Sequence, residues 1–394
     1  MQYDAKTYRL TDAGKWGQIA LVIGIVCLAA SVAGAFADAH RFWYAYLTAF
    51  TFWFTIAMGG LFFTMLHHLV NATWSVVVRR LSENVMAVLP FMLIFFIPLI
   101  FALGQLYHWS HPEVVATDEI LQHKQIYLNS TFFVIRAAIY FLIWTLLAWR
   151  LQKLSYEEDS GNAEPLLKRA RRISALGMVL FALTITFASF DWLMSLEAHW
   201  YSSIYGAYVY SGATLGFLTF LSLVVIWLTR QGVLAESITV EHRHDLAKLT
   251  FAFVIFWAYM AFSQYFLIWY ANLPEETIWF QHRWEGSWKI LSLMIVFGHF
   301  AIPFLWMIPR ATKRSFTSFG LVCTWLLAMH YIDIYWLVMP SWTGSAWSVS
   351  WMDLTTMLGI GGVFFWYFWL RTARRPLVPV GDPRLEASKE FVNF

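Results

Sequence analysis

Several side chains in this sequence could carry proton chemistry, and each stands in an apolar run, where an ionised group costs about 2.5–3.5 kcal/mol at the membrane centre by insertion scales. In "LTITFASFDWLMSLEAHWYSSIYG", residues 183–206, Asp191 stands in the last turns of an apolar segment and is followed by Ser195 and Glu197. Arg136 lies at a similar depth in "FFVIRAAIYF", roughly 8 Å from the same end of its own segment at 1.5 Å of rise per residue. Two chemistries fit these residues. One is a structural Arg–Asp pair; the other is a carboxylate that takes protons from a bound hydroxylated ligand while Arg136 tunes its charge.

A second set is larger. "CTWLLAMHYIDIYW" sets His330 and Asp333 three residues apart on one helical face, where the carboxylate can orient the imidazole. "FWAYMAFSQYFLIWYANLPEE" carries Ser263, Gln264 and Tyr265, and His299 stands near the middle of another apolar run. These groups read either as hydrogen-bonded packing inside a bundle or as a protonatable series from His299 to Asp333. A haem held between His299 and His330 is disfavoured, because the two differ in depth by about 6–9 Å at the helix rise. His67 and His68 in "FTMLHHLVNATW" end an apolar run. They read as hydrated interfacial groups or as participants in proton uptake.

The elements that must position these residues follow from composition. Hydrophobic residues make up 59% of the 394 positions and charged residues 13%, against about 25% charged in soluble domains. The chain is therefore expected to be all-α and polytopic in a membrane. Apolar runs of about 20 residues fall at 17–37, 42–68, 84–107, 131–151 and 173–194, then at 204–228, 247–271, 287–308, 316–337 and 351–371. These predict ten transmembrane helices, since lipid offers exposed backbone groups no partner. The first run reads as a retained helix rather than a cleaved signal. Of the 27 lysines and arginines, 22 fall in the N-terminus, the segments after helices 2, 4, 6 and 8, and the C-terminal tail, and four fall on the opposite side. That asymmetry puts both termini in the cytoplasm.

Two four-helix bundles, helices 2–5 and 6–9, flanked by helices 1 and 10, are the expected arrangement. The divisions are 1–16 for a cytoplasmic N-terminus, 17–41 for helix 1, 42–194 and 195–337 for the bundles, 338–371 for an outer loop with helix 10, and 372–394 for a cytoplasmic tail. The repeat itself is faint, limited to "GGLFFTM" in helix 2 and "LGFLTFL" in helix 6. Cys27 and Cys323 both lie in apolar runs, and no CxxC or CxxCH is present. No covalently held haem, iron–sulfur cluster or Cys-type zinc site is expected, and no metal site. No Gly-rich phosphate loop appears, and no nucleic-acid partner is expected. The outer connections "LPEETIWFQHRWEG" and "MPSWTGSAWSVSWMD" supply Glu275, Glu276, His282, Arg283, Glu285 and Asp353. This rim is expected to be solvated or to dock a partner domain.

Taken together, "ASFDWLMSLEAHWYSSIYGAY", "FAFVIFWAYMAFSQYFLIWYANLPEETIWF" and "MLHHLVNATWSVVVRRLSEN" resemble the NrfD/PsrC-like membrane subunits of alternative complex III, a quinol:cytochrome c or quinol:oxidase oxidoreductase. Within that family the resemblance is to the second such subunit, the ActF type, and it extends from helix 1 to helix 10. It implies a multi-pass subunit of the bacterial inner membrane that binds no cofactor covalently. It also implies a paralogous NrfD-like subunit, an iron–sulfur subunit and multihaem cytochromes c as partners, with a terminal oxidase as a further one, besides surrounding lipids. The substrate would be menaquinol or ubiquinol near the outer face of the first bundle, which makes Asp191 and Arg136 the candidate quinol and proton site. Rival expectations are a non-catalytic scaffold in the same complex and a secondary transporter. Transport favours paired mid-membrane breaks, whereas Pro90 and Pro98 in helix 3 have no counterpart in helix 7.

Overall fold

The computed structural model describes residues 1–344 and 346–392, so residue 345 of the predicted outer loop and residues 393–394 of the predicted tail lie outside the described residues. The long helices are α1 Trp16–Ala35, α2 Ala39–Leu69, α3 Val76–Phe101, α4 Ser130–Glu158 and α5 Ala163–Trp192. They continue as α6 Tyr205–Arg230, α7 Val240–Ala271, α8 Trp288–Met307, α9 Phe316–Val338 and α10 Trp351–Arg374. The protein is an all-helical, multi-pass membrane chain. Nine of its helices among the described residues, α1 to α9, are long and apolar enough to cross a membrane. The expected tenth, α10, forms over 24 residues, but it opens on Asp353 and ends on Arg371 and Arg374, which lowers its apolarity. The polar N-terminus carries a short hairpin. Its strands β1 Gln2–Asp4 and β2 Arg9–Asp12 pair antiparallel, with Tyr3 opposite Leu10.

Two helices form the centre. The apolar windows of α2 and α6 are each 89% buried, against 17% for α1. They meet at the two segments that looked like a repeat. A Cβ on Gly59 would lie 2.6 Å from the Ala213 carbonyl oxygen and 2.3 Å from the Phe217 Cβ, so glycine is what lets the two backbones approach. Around this seam α2 packs on α3, α5, α9 and α10, and α6 packs on α5, α7 and α9, while α1 lies along α10.

The C-terminal tail fixes which ends face together. Leu377 N–H donates to the Tyr8 carbonyl, Arg79 of α3 reaches Asp382, and the carbonyl of Ser388 bonds the His242 ring at the start of α7. Both termini and the connections after α2, α4 and α6 therefore lie at one end. At the opposite end Arg41 bonds Asp353, Lys124 bonds the Ala198 carbonyl, and Arg283 bonds Glu197.

Two local departures from the expected spans matter for the sites. Helix α3 begins at Val76, well before the expected 84, and its first part, Val76–Met86, is buried at every residue. Arg79 and Arg80, counted with the segment between helices 2 and 3, thus sit in a packed helix. Helix α8 opens into a π-turn over Ile295–Ala301. Pro303 has no amide proton for the carbonyl four residues back, that of His299, and its ring crowds that carbonyl. The widened turn releases the Gly298 carbonyl, which accepts a hydrogen bond from Trp325 Nε1 at 2.7 Å.

Candidate functional site

Asp191 occupies the last turn of α5 and is fully buried. Arg136 of α4 grips it in a two-pronged contact, Nε to Oδ2 at 2.9 Å and Nη2 to Oδ1 at 2.9 Å. Tyr140, one turn along α4, donates its hydroxyl to Oδ2 at 2.9 Å. The remaining guanidinium nitrogen donates to the Tyr127 carbonyl at 2.8 Å, and the guanidinium lies 3.8 Å from the Tyr127 ring centroid. Three donors on one carboxylate and a stacked, fully bonded cation meet the requirement for tolerating charge away from water. Next to the pair, Trp192 packs against Phe50, Phe96 and Phe141 with centroids 4.6–5.9 Å apart. A hollow between α2 and α5, lined by Thr51, Thr55, Ser189 and Trp192, measures about 10 Å³. That is room for about one water and too little for a quinone ring. The arrangement matches the structural pair of the two chemistries read from the sequence.

The second set behaves differently. His330 donates from Nε2 to Thr55 Oγ1 at 2.9 Å, because the Thr55 hydroxyl proton is already directed to the Phe52 carbonyl at 2.8 Å. Its Nδ1 is then an acceptor, and it has no hydrogen-bond partner among the described residues. Asp333 does not orient this imidazole, contrary to the expectation from their spacing. Its carboxylate instead accepts from the Tyr208 hydroxyl of α6 and from Trp257 Nε1 of α7, the latter at 3.1 Å. His299, on the π-turn, is wholly buried, and neither ring nitrogen has a partner among the described residues. Its ring lies on Trp257 with centroids 4.0 Å apart. Trp257 thus covers one face of His299, and Thr55 holds the Nε2 of His330. The imidazole of His330 fits against α6 because residue 216 is glycine. A Cβ there would lie 2.7 Å from His330 Cδ2.

Other expected members are placed apart. Gln264 is buried and accepts from Ser202 Oγ at 3.3 Å, but Tyr265 is 45% exposed on the outside of α7 and is not part of the buried series. His67 and His68 are not hydrated. His67 Nδ1 donates to the Phe63 carbonyl at 2.8 Å, and His68 is buried with Nε2 unpartnered among the described residues. Of the rim, Glu275, His282 and Glu285 are exposed and Glu276 is half-buried. Arg283 and Asp353 are not on the surface. Arg283 is fully enclosed, bonding Glu197 at 2.8 Å and the carbonyls of Trp279, Trp336 and Leu337, and Asp353 is paired with Arg41. His282 lies 3.5 Å from the Glu197 carboxylate, and that hydrogen bond raises the pKa of the imidazole.

Sequence reasoning missed a buried charge cluster at the end that holds both termini. Arg79 meets Glu83 at 3.2 Å, Glu158 at 2.5 Å and Asp382 at 2.8 Å, while Arg80 meets Asp159 at 2.8 Å. Asp382 belongs to the tail. Burial opposes its ionisation, but hydrogen bonding from Arg384 and the charge of Arg79 outweigh burial and hold its carboxyl down at about 2. The available signal was the spacing in "VVVRRLSENVM", where Glu83 is four residues from Arg79 and three from Arg80, so that all three share one helical face. Tyr208, Trp257 and Thr55 gave no such signal, because their types are ordinary in membrane helices. Neither the family models nor the curated proteins compared with this chain give a match.

Proposed function

We propose that this chain is an integral membrane subunit of a quinol-oxidising respiratory complex of the alternative complex III type, crossing the bacterial inner membrane ten times. Both termini would be cytoplasmic, and α2–α5 and α6–α9 would form two four-helix bundles. The observation that carries the reading is the second polar set: His299, His330 and Asp333 buried in apolar helices, with imidazole nitrogens left unbonded. Groups of this kind are costly in a membrane and mark proton pathways. The quoted motifs that resemble the NrfD/PsrC-like subunits support the same reading, as does the concentration of Lys and Arg at the end holding both termini.

In this role quinol, menaquinol or ubiquinol, loses two electrons and two protons near the outer face. The electrons leave through iron–sulfur and haem c centres in partner subunits, and this chain handles protons through its second half. The engaged state of Asp191 and the packed rings beside it favour support of the oxidation site over direct proton abstraction by Asp191. The same observation favours the scaffold reading for the first half. Purification of the tagged chain in mild detergent tests the proposal. A c-type haem spectrum and quinol:acceptor activity should co-purify and be lost when the chain is deleted. Isolation of the chain as a lone, stable protein with no quinol activity in its membranes would refute it.

A further inference from the structure

The end of the molecule that holds both termini carries an open cavity of about 480 Å³ between α4 and α10, whose lining includes Trp149, Lys153, Tyr156, Glu157, Arg371 and Arg375. Its position on α4 is informative. Leu142 and Leu146 are 58% and 47% exposed and form an outward apolar face, Trp149 follows at 52%, and the charged residues Arg150 and Lys153 begin there. An exposed apolar face that ends in a tryptophan and then in cations is what a bilayer boundary requires. On α10 the cations Arg371 and Arg374 occupy the last turn.

Three cations, Lys153, Arg371 and Arg375, face the cavity against one acid, Glu157, which stands 3.8 Å from Lys153. The aromatic wall holds the cations in place. Arg375 lies 5.0 Å from the Tyr156 ring centroid, and Lys153 lies 5.5 Å from that of Trp149. Arg371 donates one nitrogen to Gln152, yet its Nε is buried with no acceptor among the described residues. Three cations against one acid, two of them exposed, around a cavity of this size suit a multivalent oxygen anion.

We infer that this cavity binds the phosphate ester of an anionic phospholipid, with the acyl chains lying along Leu142, Leu146 and Trp149 of α4. The headgroup oxygens accept from the exposed Arg375 and Lys153, Arg371 adds its charge to the same wall, and the lipid joins α4 to α10 at the boundary. The inference rests on the chain spanning a membrane and is independent of quinol chemistry.

Native mass spectrometry of the full-length chain with its co-purifying partners, exchanged into detergent with dioleoyl phosphatidylglycerol or dioleoyl phosphatidylcholine, tests it. Phosphatidylglycerol should be retained in preference to phosphatidylcholine. Lys153→Gln and Arg375→Gln, both at exposed positions, should each weaken retention by roughly fivefold, the worth of one basic residue near an anionic leaflet. Lys168→Gln, at the same end and outside the cavity, should leave it unchanged. Thermal midpoints of the variants in lipid-free detergent show that they remain folded. Equal retention of the two lipids, or retention unaffected by the two cavity substitutions together, would overturn the site. Displacement of the lipid by inorganic phosphate at matched concentration would overturn the lipid assignment and leave a site for soluble phosphate esters.

Discussion

The first and second halves of the chain both bury polar side chains in apolar helices and leave them in opposite hydrogen-bonding states. Around Asp191 both carboxylate oxygens and the opposing guanidinium are bonded, and aromatic rings fill the space alongside. Around His299 and His330, three of the four imidazole nitrogens lack partners among the described residues, and the helix backbone itself is opened by a π-turn. A saturated pair locks two helices. An unsaturated one keeps positions at which a proton can arrive and leave. The contrast separates a bonded acid–base pair from a set of under-bonded imidazoles in helices that look equally apolar in sequence.

The largest expected effect comes from breaking the saturated side. Asp191→Asn leaves Arg136 as an unpaired buried cation, which costs on the order of 3–5 kcal/mol. The yield of assembled protein and its thermal midpoint should both fall. Adding Arg136→Gln should restore much of the loss, because no orphan charge remains. A single variant that assembles normally would make the pair dispensable.

Next in size is overpacking of the unsaturated side. Gly216→Ala drives a methyl group against the His330 ring, at a cost of about 1–3 kcal/mol. The thermal midpoint should drop less than for Asp191→Asn, while quinol-dependent turnover should drop more than stability accounts for. Equal stability and equal turnover would show that the ring has room to move and that its position is not required.

The tail offers a smaller, pH-dependent effect that leaves both halves intact. The Asp382 carboxyl is held at about 2 in the folded chain, below the ordinary aspartate value of about 3.9. Its contribution is complete above the ordinary value and disappears as pH falls from about 4 to about 2. Limited proteolysis should therefore release the tail on acidification through that window. Asp382→Asn should abolish the pH step and leave the tail loose at neutral pH. Smallest is the rim. The pKa of His282 is raised by its bond to Glu197, so its contribution is present below about 6.5 and fades as pH rises through the raised value. A half-exposed pair of this kind is worth at most about 1 kcal/mol. His282→Gln should therefore shift the thermal midpoint slightly at pH 6 and not at pH 9.

Much of the helix order was legible from apolar runs, and charge asymmetry anticipated that both termini share one end. The pairing of Arg136 with Asp191 was legible from equal depth in consecutive helices. What a one-dimensional reading could not supply was rotation about each helix axis. Spacing put His330 and Asp333 on one face, but Asp333 turns to Tyr208 and Trp257 because α6 and α7 meet α9 there. Rotation likewise sends Tyr265 outward while its neighbour Gln264 is buried. Arg79 and Arg80 were counted only as cations of the segment after helix 2, because nothing in their neighbourhood names the partners, Glu158, Asp159 and Asp382, that arrive from distant parts of the chain. The "GGLFFTM" and "LGFLTFL" segments gave the opposite lesson. Their likeness reflects the demands of one shared helix crossing, at Gly59 and Phe217.

The proposed division between a structural and a protonatable half is tested most directly by quinol-dependent proton release from the assembled complex, measured side by side for His330→Gln and for the Asp191→Asn/Arg136→Gln pair. Glutamine keeps an amide donor for Thr55 but cannot titrate. His330→Gln should assemble and lose proton release by about 10²–10⁴, the usual worth of a positioned acid or base, while the paired variant stays within a few-fold of the parent. The reverse order, with release preserved in His330→Gln and abolished in an assembled Asp191→Asn/Arg136→Gln complex, would contradict the account and return the proton chemistry to Asp191.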